Sequence, residues 1–243
     1  MSYTIPRAYV DNFADGIESI SKANKELLGR SLSTVDLSTP GAEDVVAGIM
    51  RTICRGSSSQ AAYLARQFYL GLRDLMVGND DGYVGVADTG QPPGATMTVT
   101  RGIMRASEHD AILTHLQRQV GYATKRASHA TLYACGERDP MRPRFARVPR
   151  RTRSYADGCP FCQTLASRGF VYHTDRTAGV HVHDGCSCVV VPSWDRSPEV
   201  EGYDRHDYDV GYQRFLDHDY SQPDRTIPHR SLEWQREHQV GTD

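Results

Sequence analysis

A chain of 243 residues with 39% hydrophobic residues and a formal net charge of −2 holds one large domain or two small ones. Near-neutral charge excludes a polycation that simply coats nucleic acid, and no apolar run approaches the ~18 residues a membrane helix needs. No basic stretch followed by an apolar core opens the sequence, so no secretory leader is expected and the thiols are expected to stay reduced in a cytoplasm.

The N-terminal half reads as helices. Pro6 suits a first turn, and Tyr9, Val10, Phe13, Ile17, Ile20, Leu27 and Leu28 then recur at helical spacing. This predicts a helix over Pro6–Leu28, ended by Gly29. Ser38-Thr39-Pro40 is a start signal with Glu43 in the first turn, and Val45, Val46, Ile49, Met50 and Ile53 form the stripe of a second helix, Gly41–Cys54. Ser57 to Ser59 read as the cap of a third, Ser58–Val77, carrying Ala62, Ala65, Phe68, Tyr69, Leu72 and Leu75. Gly78-Asn-Asp-Asp-Gly82 stops it. The glycine-rich stretch Gly82 to Gly102 lacks the G-K-[ST] ending of a phosphate loop and reads as a flexible connection. A fourth helix is predicted over Ser107–Cys135 through Ile112, Leu113, Leu116, Val120, Ala123, Ala127 and Leu132.

An arginine-rich segment follows. Arg138, Arg142, Arg144, Arg147, Arg150, Arg151 and Arg153 crowd into sixteen residues. Guanidinium binds phosphate and carboxylate alike in a bidentate fork. Packaged DNA, an acidic protein face, or carboxylates of this same chain are all eligible partners for Arg142, Arg144, Arg147, Arg150, Arg151 and Arg153.

The densest chemistry lies just beyond. Cys159-Pro-Phe-Cys162 and His183-Asp-Gly-Cys186-Ser-Cys188 give the pattern C-x2-C-x20-H-x2-C-x-C, with four of the six cysteines. A thiolate pair two residues apart grips one metal ion from two sides, and a second pair brought back by a short connection completes a tetrahedron around zinc. Cys159 and Cys162 supply two ligands; His183, Cys186 and Cys188 contend for the other two. Surplus thiolates argue for a closed, structural Zn2+ site. A short helix at Gln163–Ser167 and a β-hairpin ending at Val189–Val191 are expected to carry the ligands. No H-E-x-x-H, G-x-S-x-G or Walker loop is present. The nucleic-acid deaminase signature also fails, because Pro160 lies inside the cysteine pair and no H-x-E precedes it. Ser167 and His173 form no catalytic constellation.

From Asp195 onward twelve acids face six arginines, with Tyr203, Tyr208, Tyr212, Phe215, Tyr220 and Trp234 spaced among them. A polar stretch with isolated aromatics predicts an extended docking arm that orders on assembly.

Arg147-Val148-Pro149, Cys159-Pro-Phe-Cys162, Leu165-Ala-Ser-Arg-Gly169, Val171-Tyr172-His173, Ala178-Gly179, His183-Asp-Gly-Cys186-Ser-Cys188 and Val191-Pro192 together resemble the phage Mu F-like minor head proteins, in the form seen in actinobacterial phages and prophages. The resemblance spans Arg147 to Trp194. Gly185 departs from it, because relatives often carry a second His or a bulky residue there. What the resemblance implies is a virion protein of the head interior or portal vertex, made in the host cytoplasm and present in few copies. Its implied partners are the portal protein, the major capsid or scaffold protein and packaged DNA, with no membrane. Relatives are sometimes fused to toxins, ADP-ribosyltransferases or capsid maturation proteases, so an enzyme, or a zinc-dependent nucleic-acid-binding protein, is the alternative class. The expected fold is α+β: a mainly helical region (1–137), an Arg-rich linker with a Cys/His zinc module (138–196), and an acidic, aromatic-containing extended tail (197–243).

Overall fold

The structure, a computed structural model, describes residues 3–90, 94–150, 160–174 and 188–208. The elements run β1 (Thr4–Ile5), α1 (Arg7–Leu32), α2 (Ala42–Val77), α3 (Ala95–Ala106), α4 (His109–Arg138), β2 (Arg144–Val148), α5 (Pro160–Ser167), β3 (Val189–Ser193) and β4 (Glu199–Val200), then a 3-10 turn over Arg205–Tyr208. The described fold is mainly helical with a few short strands, consistent with the α+β expectation.

The apolar stripes of α1 and α4 are mostly buried, with Leu27 and Leu113 left exposed, and α1 runs through Gly29 to Leu32 rather than ending at that glycine. The chain differs at α2, where two helices were expected and one continuous helix runs. Ser57 and Ser58 fall on its buried face and bond sideways: Ser57 Oγ lies 2.5 Å from Thr124 Oγ1, and Ser58 Oγ donates to the Ala123 carbonyl. Hydroxyls satisfied by a neighbouring helix no longer compete with their own backbone, so the serines do not break it. Asn24 meets Gln60 and Tyr9 stacks on Phe68, so α1 runs antiparallel to α2. Ser57 meets Thr124 and Tyr69 meets Asp139, so α4 runs parallel to α2.

The Gly82–Gly102 connection is only partly a loop. Cys135 Sγ and the Val86 backbone bond each other in both directions, and Asp88 and Thr131 do likewise, so the first part lies pinned along α4. The second part is α3, opened by Gly94 at φ 79°. That left-handed conformation suits glycine, and Thr100 is buried on its inner face.

The arginine-rich segment supplies a strand. β2 pairs antiparallel with β3 in the register Arg144↔Ser193 to Val148↔Val189. The upstream half of the expected local hairpin falls in 175–187, outside the described residues. Thr4–Ile5 pairs in parallel with Glu199–Val200. Val200 and Tyr208 are buried, so the start of the expected extended tail is packed against the body; residues 209–243 lie outside the described residues. One apolar core joins Phe13, Phe68, Leu72 and Tyr133 of the helices to Phe145, Leu165, Val190 and Val200. A second, purely helical core gathers Leu28, Val46, Met50, Leu116 and Val120.

α4 approaches β2 closely at Gly136. A β-carbon on Gly136 would lie 2.4 Å from the buried Phe145 ring. The absent side chain lets α4 lie directly on β2.

Candidate metal centre

Two of the five expected ligands are brought together. Pro160 opens α5, where its missing N–H costs nothing. Leu165 and Ala166 anchor the helix in the core, and the Tyr172 hydroxyl donates to the Leu165 carbonyl at 3.1 Å. Burial pushes that hydroxyl's pKa up to about 12. Cys162 is thereby held inward at 6% exposure. Cys188 immediately precedes the fully buried strand β3 and is also 6% exposed.

The two sulfurs lie 3.3 Å apart. A disulfide requires about 2.05 Å, whereas two thiolates on tetrahedral zinc at 2.3 Å lie about 3.8 Å apart. The pair thus sits near metal-sharing distance, from elements separated by 26 positions. Its donor chemistry fits Zn2+. Cys159 immediately precedes α5, and Cys186 is two residues before Cys188; they and His183 lie outside the described residues. Among the described residues no group of three His, Cys, Asp or Glu gathers, because three of the five expected ligands are not among them.

Sequence reading did not foresee the surroundings of Cys188. Arg147 is fully buried on β2 and pairs with Val190 across the sheet. Cys188 is the diagonal neighbour on the same face, within reach of a long side chain. Nε and Nη2 of Arg147 donate to Cys188 Sγ at 3.2 and 2.9 Å. Nη1 lies 3.4 Å from His129 Nδ1 on α4. Since guanidinium only donates, Nδ1 accepts and the ring proton sits on Nε2. The Tyr133 hydroxyl is buried with no hydrogen-bond partner among the described residues; burial raises its pKa well above the ordinary value, against a smaller opposing effect of the Arg147 charge. Phe145 and Arg147 share one period-two face of β2, but both faces of the strand are buried, so alternation does not single Arg147 out.

The remaining cysteines serve the helices. Cys54 is packed in the helical core, and burial pushes its thiol up to about 12. Cys135 is engaged by the Val86 backbone.

Three of the expected contact arginines have partners within the chain. Arg144 donates to the carbonyls of Asp195 and Arg196 at 2.9 and 2.8 Å. Arg147 faces the thiols. Arg150 forks onto Asp15 and Glu18 of α1. These three are held by the chain itself because the segment forms a buried strand paired with β3, and Arg150 just after it reaches α1. Arg142 stays exposed at φ 43°; Arg151 and Arg153 lie outside the described residues. Ser167 Oγ donates to the Thr164 carbonyl, closing its helix end.

The chain is a phage protein, and it belongs to the VG15 protein family, whose model matches residues 4–215. No curated protein and no solved structure matches it. Among the described residues, no helix is long and apolar enough to cross a membrane.

Proposed function

We propose that this chain is a minor head protein of the phage particle, associated with the portal and aiding head assembly or DNA delivery, with a structural zinc site built on Cys159, Cys162 and Cys188. Supporting the metal is the convergence of the Cys162 and Cys188 thiols from α5 and β3. Supporting the virion role are membership of a phage family and the Mu F-like motif order along Arg147 to Trp194. The fourth ligand comes from His183 or Cys186. Bound zinc supplies a four-way cross-link that fixes the start of α5 and the approach to β3. The residues themselves prepare for it: Leu165 and Ala166 seat α5, and the β2–β3 pairing sets Cys188.

Portal, major capsid or scaffold protein and packaged DNA are the proposed partners, and the proposed location is the head interior at the portal vertex. Residues 209–243 form the proposed docking arm.

Two measurements test this reading. Elemental analysis of the reduced, purified chain is expected to find about one zinc, lost in Cys162→Ser; metal-free wild type contradicts the zinc half. Mass spectrometry of purified particles is expected to find the chain at low copy number, and deletion of 209–243 is expected to lower its incorporation while zinc content stays unchanged. Absence of the chain from intact particles contradicts the virion half.

A further inference from the structure

We infer that Arg147 is a positioning residue of the metal centre: its buried guanidinium forks onto the Cys188 sulfur and aims it at the shared ion. The inference rests on the zinc reading above and adds a residue outside the Cys/His motif.

A guanidinium removed from water loses several kcal/mol of solvation unless charge and hydrogen bonds replace it. Arg147 has no exposed surface, yet two of its N–H groups converge on one sulfur at 3.2 and 2.9 Å. A thiol sulfur is a weak acceptor, whereas a thiolate beside a cation makes a charge-assisted bond. Two donors converging on one sulfur fix the direction in which Cys188 is held. The remaining arm reaches His129 of α4, so the orientation of the fork is set by the helical body, not by the cysteine loops.

Charge points the same way. A zinc ion with three thiolates and one imidazole carries −1, and with four thiolates −2. Either centre is anionic in a buried site, and Arg147 offsets one unit. Hydrogen bonds to metal-bound ligands fix their direction, and their loss typically weakens metal binding 10–100-fold.

The test uses the full, reduced chain loaded with Co2+ and then competed with zinc and a chromophoric chelator. Wild type is expected to show thiolate-to-cobalt charge-transfer absorption. Arg147→Gln is expected to bind at least 10-fold more weakly with a shifted band, and Arg147→Lys, which keeps the charge without the fork, to recover part of the affinity. A folded Arg147→Gln chain with unchanged affinity and spectrum overturns the inference and leaves the zinc reading standing. Wild type without any cobalt band overturns both. Should the Gln variant fail to fold, wild type loaded with 113Cd decides. A scalar coupling between the Arg147 Nε–H proton and 113Cd, transmitted through Cys188 Sγ, is expected, and its absence in a spectrum that resolves this proton overturns the inference.

Discussion

Arg73 and Arg147 are both buried, at 1% and 0% exposure, and the protein stabilises them by different chemistry. In the helical body, Arg73 Nε and Nη2 grip Asp139 at 2.9 and 3.2 Å, while Nη1 and Nη2 reach Asp81 at 3.0 and 2.5 Å. Nη1 also donates to the Gly78 carbonyl, and the guanidinium lies 4.9 Å over the Tyr83 ring. Asp139 in turn accepts from the Tyr69 hydroxyl, Trp194 Nε1 and the Met141 amide. In the cysteine half, Arg147 leans on a sulfur. Carboxylates keep their charge at neutral pH whatever the metal or redox state, whereas a thiolate owes its charge to its surroundings. The helical body thus sets its cation against two carboxylates, and the cysteine half sets one against a sulfur and an imidazole.

The sharpest way to break this contrast is Asp139→Asn. Removing one partner of a buried ion pair strands the other, at about 3–5 kcal/mol, and urea unfolding is expected to show a loss of that size whether or not chelator is present. A loss that appears only with chelator would place both arginines in one network. A smaller effect is expected from Gly136→Ala, at the contact between the halves. The added methyl meets the Phe145 ring, and overpacking of this kind costs about 1–3 kcal/mol; unchanged stability would show that α4 and β2 yield readily. The smallest effect concerns pH. The Arg73 hydrogen bonds hold the Asp81 carboxyl below its ordinary value. A depressed folded-state value contributes stability at and above the ordinary carboxylate range and loses it as pH falls below about 4. Asp81→Asn is expected to remove part of the acid limb of a stability–pH profile and leave the neutral region flatter; an identical acid limb would assign acid sensitivity elsewhere.

What the sequence made legible follows from how local each signal is. Most of the apolar stripes of α1 and α4 and the Gly78 stop are written within a few turns and match the structure, whereas the Gly29 stop does not, since α1 continues to Leu32. The short helix near Gln163–Ser167 appears as α5, beginning at Pro160. What was missed depends on partners far along the chain. Ser57 and Ser58 read as a cap until Thr124 and Ala123 take their hydroxyls. β2 was hidden because arginines, read as a solvated run, occupy a strand whose mate lies some forty residues later. Asp139 announces itself only as the Asp-Pro that ends α4; nothing local ties it to Arg73. At the candidate centre, the cysteine spacing pointed to Cys162 and Cys188, but Arg147 and His129 become visible only once β2 lies against α4.

The pairing of Thr4–Ile5 with Glu199–Val200 has a consequence in time. Ile5 is fully buried and the Glu201 amide donates to its carbonyl at 2.9 Å, so this seam cannot close until about two hundred residues have been made. Translation at 5–20 residues per second puts that closure roughly 10–40 s behind the first residues of the seam. During that interval α1 leaves the ribosome with one edge of its core uncovered, although α2 can already stack on it. The nascent chain therefore passes through a helical state awaiting its last strand, and for those seconds it depends on whatever in the cell shields exposed apolar surface.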